Sequence, residues 1–512
     1  MKAFGALSVF AFVVLGAAAV WMGGLNQDEG WYLYAANLVA EGKVPYRDFF
    51  YTQGPLLPFV YSAFTWVWGR WGILGARVFT LLLGALSLLF AVALARRLAP
   101  PDRRGTAGLV AFFLLGINLY HLNFLAIPKT YAQAALFVTM GFFLLSRSGG
   151  AGRAAQSVLA AASGLSLALA AGTRISLGLL LATAGLWLLF GRRWRRLVGF
   201  TVGGLAGLSL VYLPFLLDPA ARSGLVAAQA YHAARGGFDV VWTVGSFSRL
   251  VRWYLPVFIV LGLWFGCARR AGSGACGDAS FRRLLLGGFL AVFAVQMLAP
   301  FPYEDYQVPI MGLLAAAAAA GFATLAGRDA PGQPLDGQPS APRPRLFSVN
   351  AQFLILLVLG LSYACAFGSP LLEKWSTNGQ DRFWSLKKES FELPQLRAVA
   401  KRIEALDPGG KELLTQDLYL AIETGRKVPA GLEMGPFSVL SDAEWRKLLA
   451  YPTAPLAALS GYTFAVEPPA CGERPLDQQM EYWSILKRSY EFVERHDAFG
   501  QNATPLLILR RK

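Results

Sequence analysis

Residues Leu25–Pro58, LNQDEGWYLYAANLVAEGKVPYRDFFYTQGPLLP, follow directly on an apolar N-terminal run and set Asp28, Glu29, Glu41, Arg47, Asp48 and Gln53 among tyrosines, a tryptophan and glycines. Adjacent acids at the mouth of a membrane segment are costly unless they are solvated, paired or used. This stretch therefore reads as a polar centre at one face of a polytopic membrane protein, with Asp28 and Glu29 at its heart. An acid ahead of GWYLYAANLVAEG would also favour the N-terminus of an interfacial helix. Such a cap accounts for one acid better than for two in a row.

The remaining composition agrees with a membrane setting. Of 512 residues, 55% are hydrophobic and 15% charged, and the mean hydropathy is +0.44, too apolar for a soluble enzyme of this length. The net charge of +16 is unevenly spread. Residues 371–512 hold 19 basic and 19 acidic side chains, so the excess, 28 basic against 12 acidic, lies in the apolar part. Most of its arginines fall in every second interhelical loop, the positive-inside pattern, which excludes a nucleic-acid partner as the reason for the charge. Cys267, Cys276, Cys365 and Cys471 have no metal-ligand spacing and predict no disulfide framework. His121, His232 and His496 are too dispersed for a zinc site.

Apolar runs long enough to span occur near 4–23, 73–95, 105–120, 130–146, 155–172, 175–190, 197–217, 251–267, 284–300, 306–326 and 347–367, about eleven transmembrane helices. Residues 1–23 are read as a retained first helix rather than a cleaved signal. With the N-terminus inside, the arginine-bearing loops 96–104, 147–153, 192–196, 269–283 and 328–345 are all cytoplasmic. The loops 28–51, 121–129, 173–174, 218–249 and 301–305 then lie outside, as does the C-terminal part. Pro55–Trp71 is short, aromatic and bracketed by Gln53, Gly54 and Arg70, and reads as an interfacial or re-entrant helix. Residues 327–345, rich in Pro, Gly and Gln, read as a flexible linker.

Beyond Phe367 the composition becomes that of an ordinary soluble domain. SFELPQLRAVAKRIEALDP predicts an amphipathic helix, KELLTQDLYLAIETGRKV a strand leading into a helix or turn, DAEWRKLLAY a helix, and YTFAVE and TPLLILRRK strands. The expected architecture is a polytopic α-helical membrane unit over residues 1–367 and a small α/β extracytoplasmic domain over 368–512.

Several outer groups could serve chemistry. Arg47, Asp48, Tyr51 and Gln53 sit in a loop stiffened by prolines and a glycine, fit to present polar groups to a substrate; Arg47 and Asp48 are equally readable as a surface pair. Lys129, Arg174, Arg249 and Arg252 stand at outer helix ends, where a lipid phosphate is a natural partner and snorkelling to headgroups the bland alternative. Glu304 and Asp305, squeezed into a very short loop, could orient a substrate or bind a cation, although two carboxylates fall short of a full ligand set for calcium or magnesium. The chain has no glycine-rich phosphate loop, nucleophile elbow or HExxH helix, which weighs against ATPase, serine hydrolase and zinc protease chemistry.

On DEGWYLYAANLVAEGKVPYRDFFYTQGPLLPFVY, followed by an arginine-ended helix, the sequence resembles the GT-C glycosyltransferases, in the bacterial branch related to protein O-mannosyltransferases and lipid A aminoarabinose transferases. The resemblance covers residues 1–367. It implies an inverting enzyme using a polyprenyl-phosphate sugar, needing no cofactor, with Asp28 as general base, Glu29 in support, and basic side chains holding the leaving phosphate. Relatives place an acid or histidine and a lysine where this chain has Thr52, Gln53, Gly54 and Pro55. The phosphate clamp is therefore expected elsewhere, at Arg174 first, Lys129 second, then Arg249 and Arg252. A transporter or flippase of lipid-linked glycans is the main alternative; it would show charges or broken helices at the bilayer midplane, whereas these polar residues cluster at the outer interface. An assembly protein, whose acid pairs would be replaceable, is the third reading.

Overall fold

The structure, a computed structural model, describes residues 2–234, 237–270, 279–300, 302–325, 391–460, 476–501 and 503–512. The expected linker at 327–345, the run at 347–367, the domain boundary at 367/368, the YTFAVE strand, and Cys276, Cys365 and Cys471 all lie outside the described residues.

From the N-terminus come α1 (Lys2–Met22), α2 (Gln27–Ala40), the short α3 (Leu56–Ala63) and α4 (Thr65–Trp68), and the long α5 (Gly72–Leu98). Next, α6 (Arg104–Gly116) meets α7 (Leu119–Ala126) at a bend of 71°. Then follow α8 (Thr130–Ser148), α9 (Arg153–Thr173), α10 (Gly178–Phe190), α11 (Trp194–Leu217) and α12 (Pro219–Ala234). A bend of 80° joins α13 (Val240–Trp253) to α14 (Leu255–Arg270), ahead of α15 (Ala279–Met297) and α16 (Val308–Leu325).

Among the described residues six helices are long and apolar enough to cross a bilayer, or eight spans if each bent pair counts as one. The expected eleven are not reached among the described residues. Gln133 and Arg147 dilute the hydropathy of α8, and α10 has only 13 residues. Pro55–Trp71 forms α3, α4 and a single 3-10 turn, and the eight residues of α3 reach only about 12 Å.

Packing follows side-chain size. Exposed Phe10, Val198, Leu205 and Leu210 give α1 and α11 apolar outer faces, whereas Ala315–Ala320 of α16 are all buried. Small side chains let α5, α6, α8, α14 and α15 close on α16. The same device joins α9 to α11: a Cβ on Gly164 or Gly203 would overlap the carbonyl of Phe200 or Ala161.

The C-terminal residues form α17 (Glu392–Leu406), β1 (Leu413–Leu414), α18 (Leu418–Thr424), α19 (Asp442–Ala450), β2 (Leu456–Ser460), α20 (Leu476–Ser489), β3 (Tyr490–Phe499) and β4 (Thr504–Arg511). The sheet order is β1-β2-β4-β3, with β1 parallel to β2 and the other pairs antiparallel. This unit seats directly on α2. Gly30 abuts the backbone of Leu418 and Tyr419, the Val428 N–H donates to Tyr34 Oη at 3.0 Å, and Lys427 pairs with Glu41 at 2.7 Å. Their apolar side chains merge into one core: Trp31, Leu33 and Ala36 with Leu396, Leu418 and Ile508.

Candidate active site

The two adjacent acids have separate tasks. Asn26 caps α2 in a capping box, its side chain accepting from the Asp28 N–H at 3.0 Å while Glu29 Oε1 accepts from the Asn26 N–H at 2.9 Å. Glu29 is fully buried and bonded by both oxygens to Arg77 of α5, at 2.7 Å each. Arg77 spends its other donors on the carbonyls of Val20, Gly23 and Gly24, stitching α1 and α5 to the start of α2. Glu29 thus lies outside the cavity that Asp28 lines, and its contacts are structural.

Asp28 is a quarter exposed. Its Oδ2 stands 2.8 Å from Lys129 Nζ, between α7 and α8, and its Oδ1 accepts from Trp31 Nε1 at 3.0 Å. Lys129 also lies 3.5 Å from Asp305 Oδ2, which accepts from the Tyr131 hydroxyl at 2.9 Å. The Lys129 ammonium rests against the rings of Phe124 and Tyr131. Arg174, at the end of α9, is sandwiched between Tyr131 and Tyr306, its guanidinium 5.1 and 4.7 Å from the ring centres. It donates to Thr130 Oγ1 at 3.1 Å, and among the described residues it has no carboxylate within ion-pair distance.

Charge sets the protonation of this group. Burial acts to raise the Asp28 pKa, but the charge and hydrogen bond of Lys129, the Trp31 indole and the Arg174 guanidinium outweigh it and hold the carboxyl below its ordinary range. Burial likewise acts to lower the Lys129 pKa, and Asp28 and Asp305 together hold it above the usual lysine range. At neutral pH the site is therefore a carboxylate bound to an ammonium.

These residues line a cavity of about 260 Å³, together with Asn26, Gln27, Tyr32, Thr52, Gln53, Tyr231 and Tyr303, and with Phe437 and Gln501 from the C-terminal unit. Gln501 is placed by a hairpin turn that only glycine suits. Gly500 has φ +73°, and a Cβ there would overlap the Tyr419 hydroxyl. A second chamber of about 220 Å³ shares Thr52, Gln53, Arg174 and Tyr306 with the first and is walled by Gly54, Ile175, Ser176, Gln229, Ala299 and Pro300. Arg174 stands at the junction of the two.

Of the residues expected from sequence, Asp28, Lys129, Arg174, Gln53 and Asp305 converge on this cavity. The others do not line it. Arg47 and Asp48 form a surface pair at 2.9 Å, with Asp218 3.5 Å from Arg47. Tyr51 is buried in an aromatic cluster with Trp31, Tyr32, Tyr46 and Phe49. Arg249 pairs with Glu304 at 3.1 Å, and Arg252 is half-buried away from the cavity. Among the described residues no group of three or more His, Cys, Asp or Glu side chains could hold a metal. Trp31, Gln27, Tyr131 and Tyr306 were legible as neighbours of the named charges; Phe437 and Gln501 carried no such signal.

No family model matches the sequence, and no curated protein does. Solved structures do match. ArnT from Cupriavidus metallidurans in the apo state aligns with a TM-score of 0.63 at 15% identity, covering 99% of this chain and 98% of that chain. The same protein bound to undecaprenyl phosphate aligns with a TM-score of 0.63 at 15% identity, covering 98% and 97%. The oligosaccharyltransferase AglB from Archaeoglobus fulgidus, in complex with an inhibitory peptide and a dolichol-phosphate, aligns with a TM-score of 0.47 at 12% identity, covering 89% and 69%. The fold of this chain is accordingly that of ArnT, as the stretch around Asp28 led one to expect.

Proposed function

We propose that the chain is an inverting glycosyltransferase that moves a hexosyl or pentosyl group from a polyprenyl-phosphate donor to an acceptor of the cell envelope. The observation that carries this reading is the meeting of Asp28, Lys129 and Arg174 in one cavity. ArnT, which shares the fold, binds undecaprenyl phosphate, and this supports a lipid-phosphate donor here.

In this reading the donor phosphate lies at Arg174, the cavity's cation without a carboxylate partner among the described residues, and at Lys129. An acceptor hydroxyl attacks the anomeric carbon. Its proton passes to the Asp28 carboxylate, the new C–O bond forms, and the bond to the phosphate oxygen breaks with its electron pair staying on the phosphate. Arg174 and Lys129 neutralise that growing charge. The same Lys129 that keeps Asp28 ionised also lowers its basicity; a phosphate that draws the ammonium toward itself returns basicity to the carboxylate when the donor is in place. No cofactor enters this scheme.

The reading includes an outward site. Arg96 and Arg97 end α5 about 30 Å from Arg77, and with Arg104, Arg147, Arg153, Arg192 and Arg195 they support a cytoplasmic placement of that far end. The Asp28 end then lies on the extracytoplasmic side of a bacterial cell membrane. In this reading the C-terminal unit that seats on α2 stands on the extracytoplasmic side, above the helices that bring Asp28, Lys129 and Arg174 together.

Membranes holding the protein, given labelled undecaprenyl-phosphate sugar and cell-envelope acceptors, test the reading. Asp28→Asn should lower transfer by about 10²- to 10⁴-fold while undecaprenyl phosphate still binds. Unchanged transfer would remove Asp28 as base. A lipid-linked glycan carried across the membrane but never transferred would favour the flippase.

A further inference from the structure

We infer that the end of the cavity roofed by the C-terminal unit is an acceptor subsite for a carbohydrate ring, with Gln27, Gln501 and Phe437 as its recognition groups. The inference rests on the glycosyltransferase reading and names the acceptor class for that same site.

The two ends of the cavity differ in what they adjoin. Thr52, Gln53, Arg174 and Tyr306 also line the second chamber, whereas Asn26, Gln27, Phe437 and Gln501 line only the first. A donor phosphate held at Arg174 leaves the other residues of the cavity, Asp28 among them, for the group that attacks.

That end contains an unsatisfied acceptor. Gln27 is 3% exposed, and its Nε2 donates to Asp417 Oδ1 at 2.6 Å and to the Tyr419 hydroxyl at 3.2 Å. Because Asp417 and Tyr419 receive the NH2 group, the amide orientation is set. Its Oε1 is enclosed and has no hydrogen-bond partner among the described residues. Buried acceptors are rarely left so, and a ligand hydroxyl would satisfy this one. Gln501 supplies the complementary group: its Oε1 accepts from the Gln27 N–H at 2.7 Å, which leaves its own NH2 to donate. Phe437 adds an apolar aromatic wall.

An acceptor, a donor and an aromatic face within one small recess match a sugar ring, whose hydroxyls both give and accept protons and whose C–H face is apolar. The residues of this end include no lysine or arginine, since Lys129 stands at Asp28 and Arg174 at the shared end. An uncharged hydroxyl therefore fits it better than a phosphorylated acceptor.

The test uses the full chain in membranes, labelled undecaprenyl-phosphate sugar, and two acceptor preparations from the source cells: delipidated envelope polysaccharide and the envelope protein fraction. Label should enter the polysaccharide. Gln501→Leu and Phe437→Ala should each raise the polysaccharide KM about tenfold, the equivalent of one interaction of about 1.4 kcal/mol, with donor KM and undecaprenyl phosphate binding unchanged. Retained lipid binding also shows that each variant is folded. Label confined to protein, or an unchanged polysaccharide KM in both variants, would overturn the inference. Asp28→Asn run beside them separates the two claims. If it abolishes transfer while both roof variants behave as the parent, only the acceptor subsite fails; if it transfers normally, the glycosyltransferase reading fails.

Discussion

Replacing Arg77 with methionine should cost about 3–5 kcal/mol of stability, because it removes one partner of a buried ion pair and strands the other. Arg77 and Glu29 side chains are both 0% exposed. The guanidinium makes two 2.7 Å bonds to the Glu29 carboxylate and bonds of 3.1, 2.8 and 2.8 Å to the carbonyls of Val20, Gly23 and Gly24. Methionine would leave a carboxylate and three carbonyls without these donors in an apolar surround, where each such group is expensive. Glu29→Gln should cost a similar amount, since it abandons the buried cation and weakens the capping box. The double variant should be less destabilised than the two single losses added, by about 0.5–3 kcal/mol, as expected for directly contacting groups. Denaturant unfolding of the purified protein in detergent gives these differences. The folded fraction of each variant, assayed for transfer per folded molecule, should retain most of its activity. Glu29→Gln at full stability but without turnover would refute the structural assignment and return Glu29 to the chemistry.

Lys129→Met removes the largest influence that lowers the Asp28 pKa, so burial prevails and the carboxyl titrates higher; the acid limb of kcat/KM against pH should move to higher pH. In the parent that limb should lie below the ordinary carboxylate range, because a depressed pKa keeps Asp28 ionised until the pH falls through it. Arg174→Gln should weaken undecaprenyl phosphate binding by about tenfold or more, the loss of one charge-assisted contact, read by lipid competition against transfer. Gly30→Ala should loosen the C-terminal unit by about 1–3 kcal/mol, since its Cβ would run into the Tyr419 backbone, and amide hydrogen exchange in α18 should quicken.

How much of the site was legible in the sequence depends on which coordinate is asked for. Depth was legible: Asp28, Lys129, Arg174 and Asp305 each stand at the end of an apolar run, and helix parity alone puts them at one level. Direction around each helix was not. Asp28 and Glu29 are about 100° apart on α2, enough to send one into the cavity and the other into Arg77. Helix rotation likewise turns Arg249 toward Glu304, away from the Asp28 cavity. A signal for the Glu29 partner did exist, since an arginine inside the apolar run ILGARVFTLLL requires an anion.

The C-terminal contribution was hidden for a different reason. Its helices and closing strand follow from periodicity, and α17, α18, α19 and β4 form where the pattern puts them. Phe437 and Gln501, however, line the cavity that holds Asp28 only because the unit docks on α2. That docking is written in Gly30, which lets the Leu418–Tyr419 backbone approach, and in Gln27, whose amide is caught by Asp417 and Tyr419. The residue that begins α2 therefore ties the C-terminal unit to the same helix turn that carries Asp28. A C-terminal unit displaced from α2 would uncover the cavity and also release the amide next to Asp28. Trimming those contacts should thus change the chemical step as well as acceptor binding, which sets Gln27→Ala apart from Gln501→Leu: the first should lower kcat and raise the acceptor KM, the second only raise the KM.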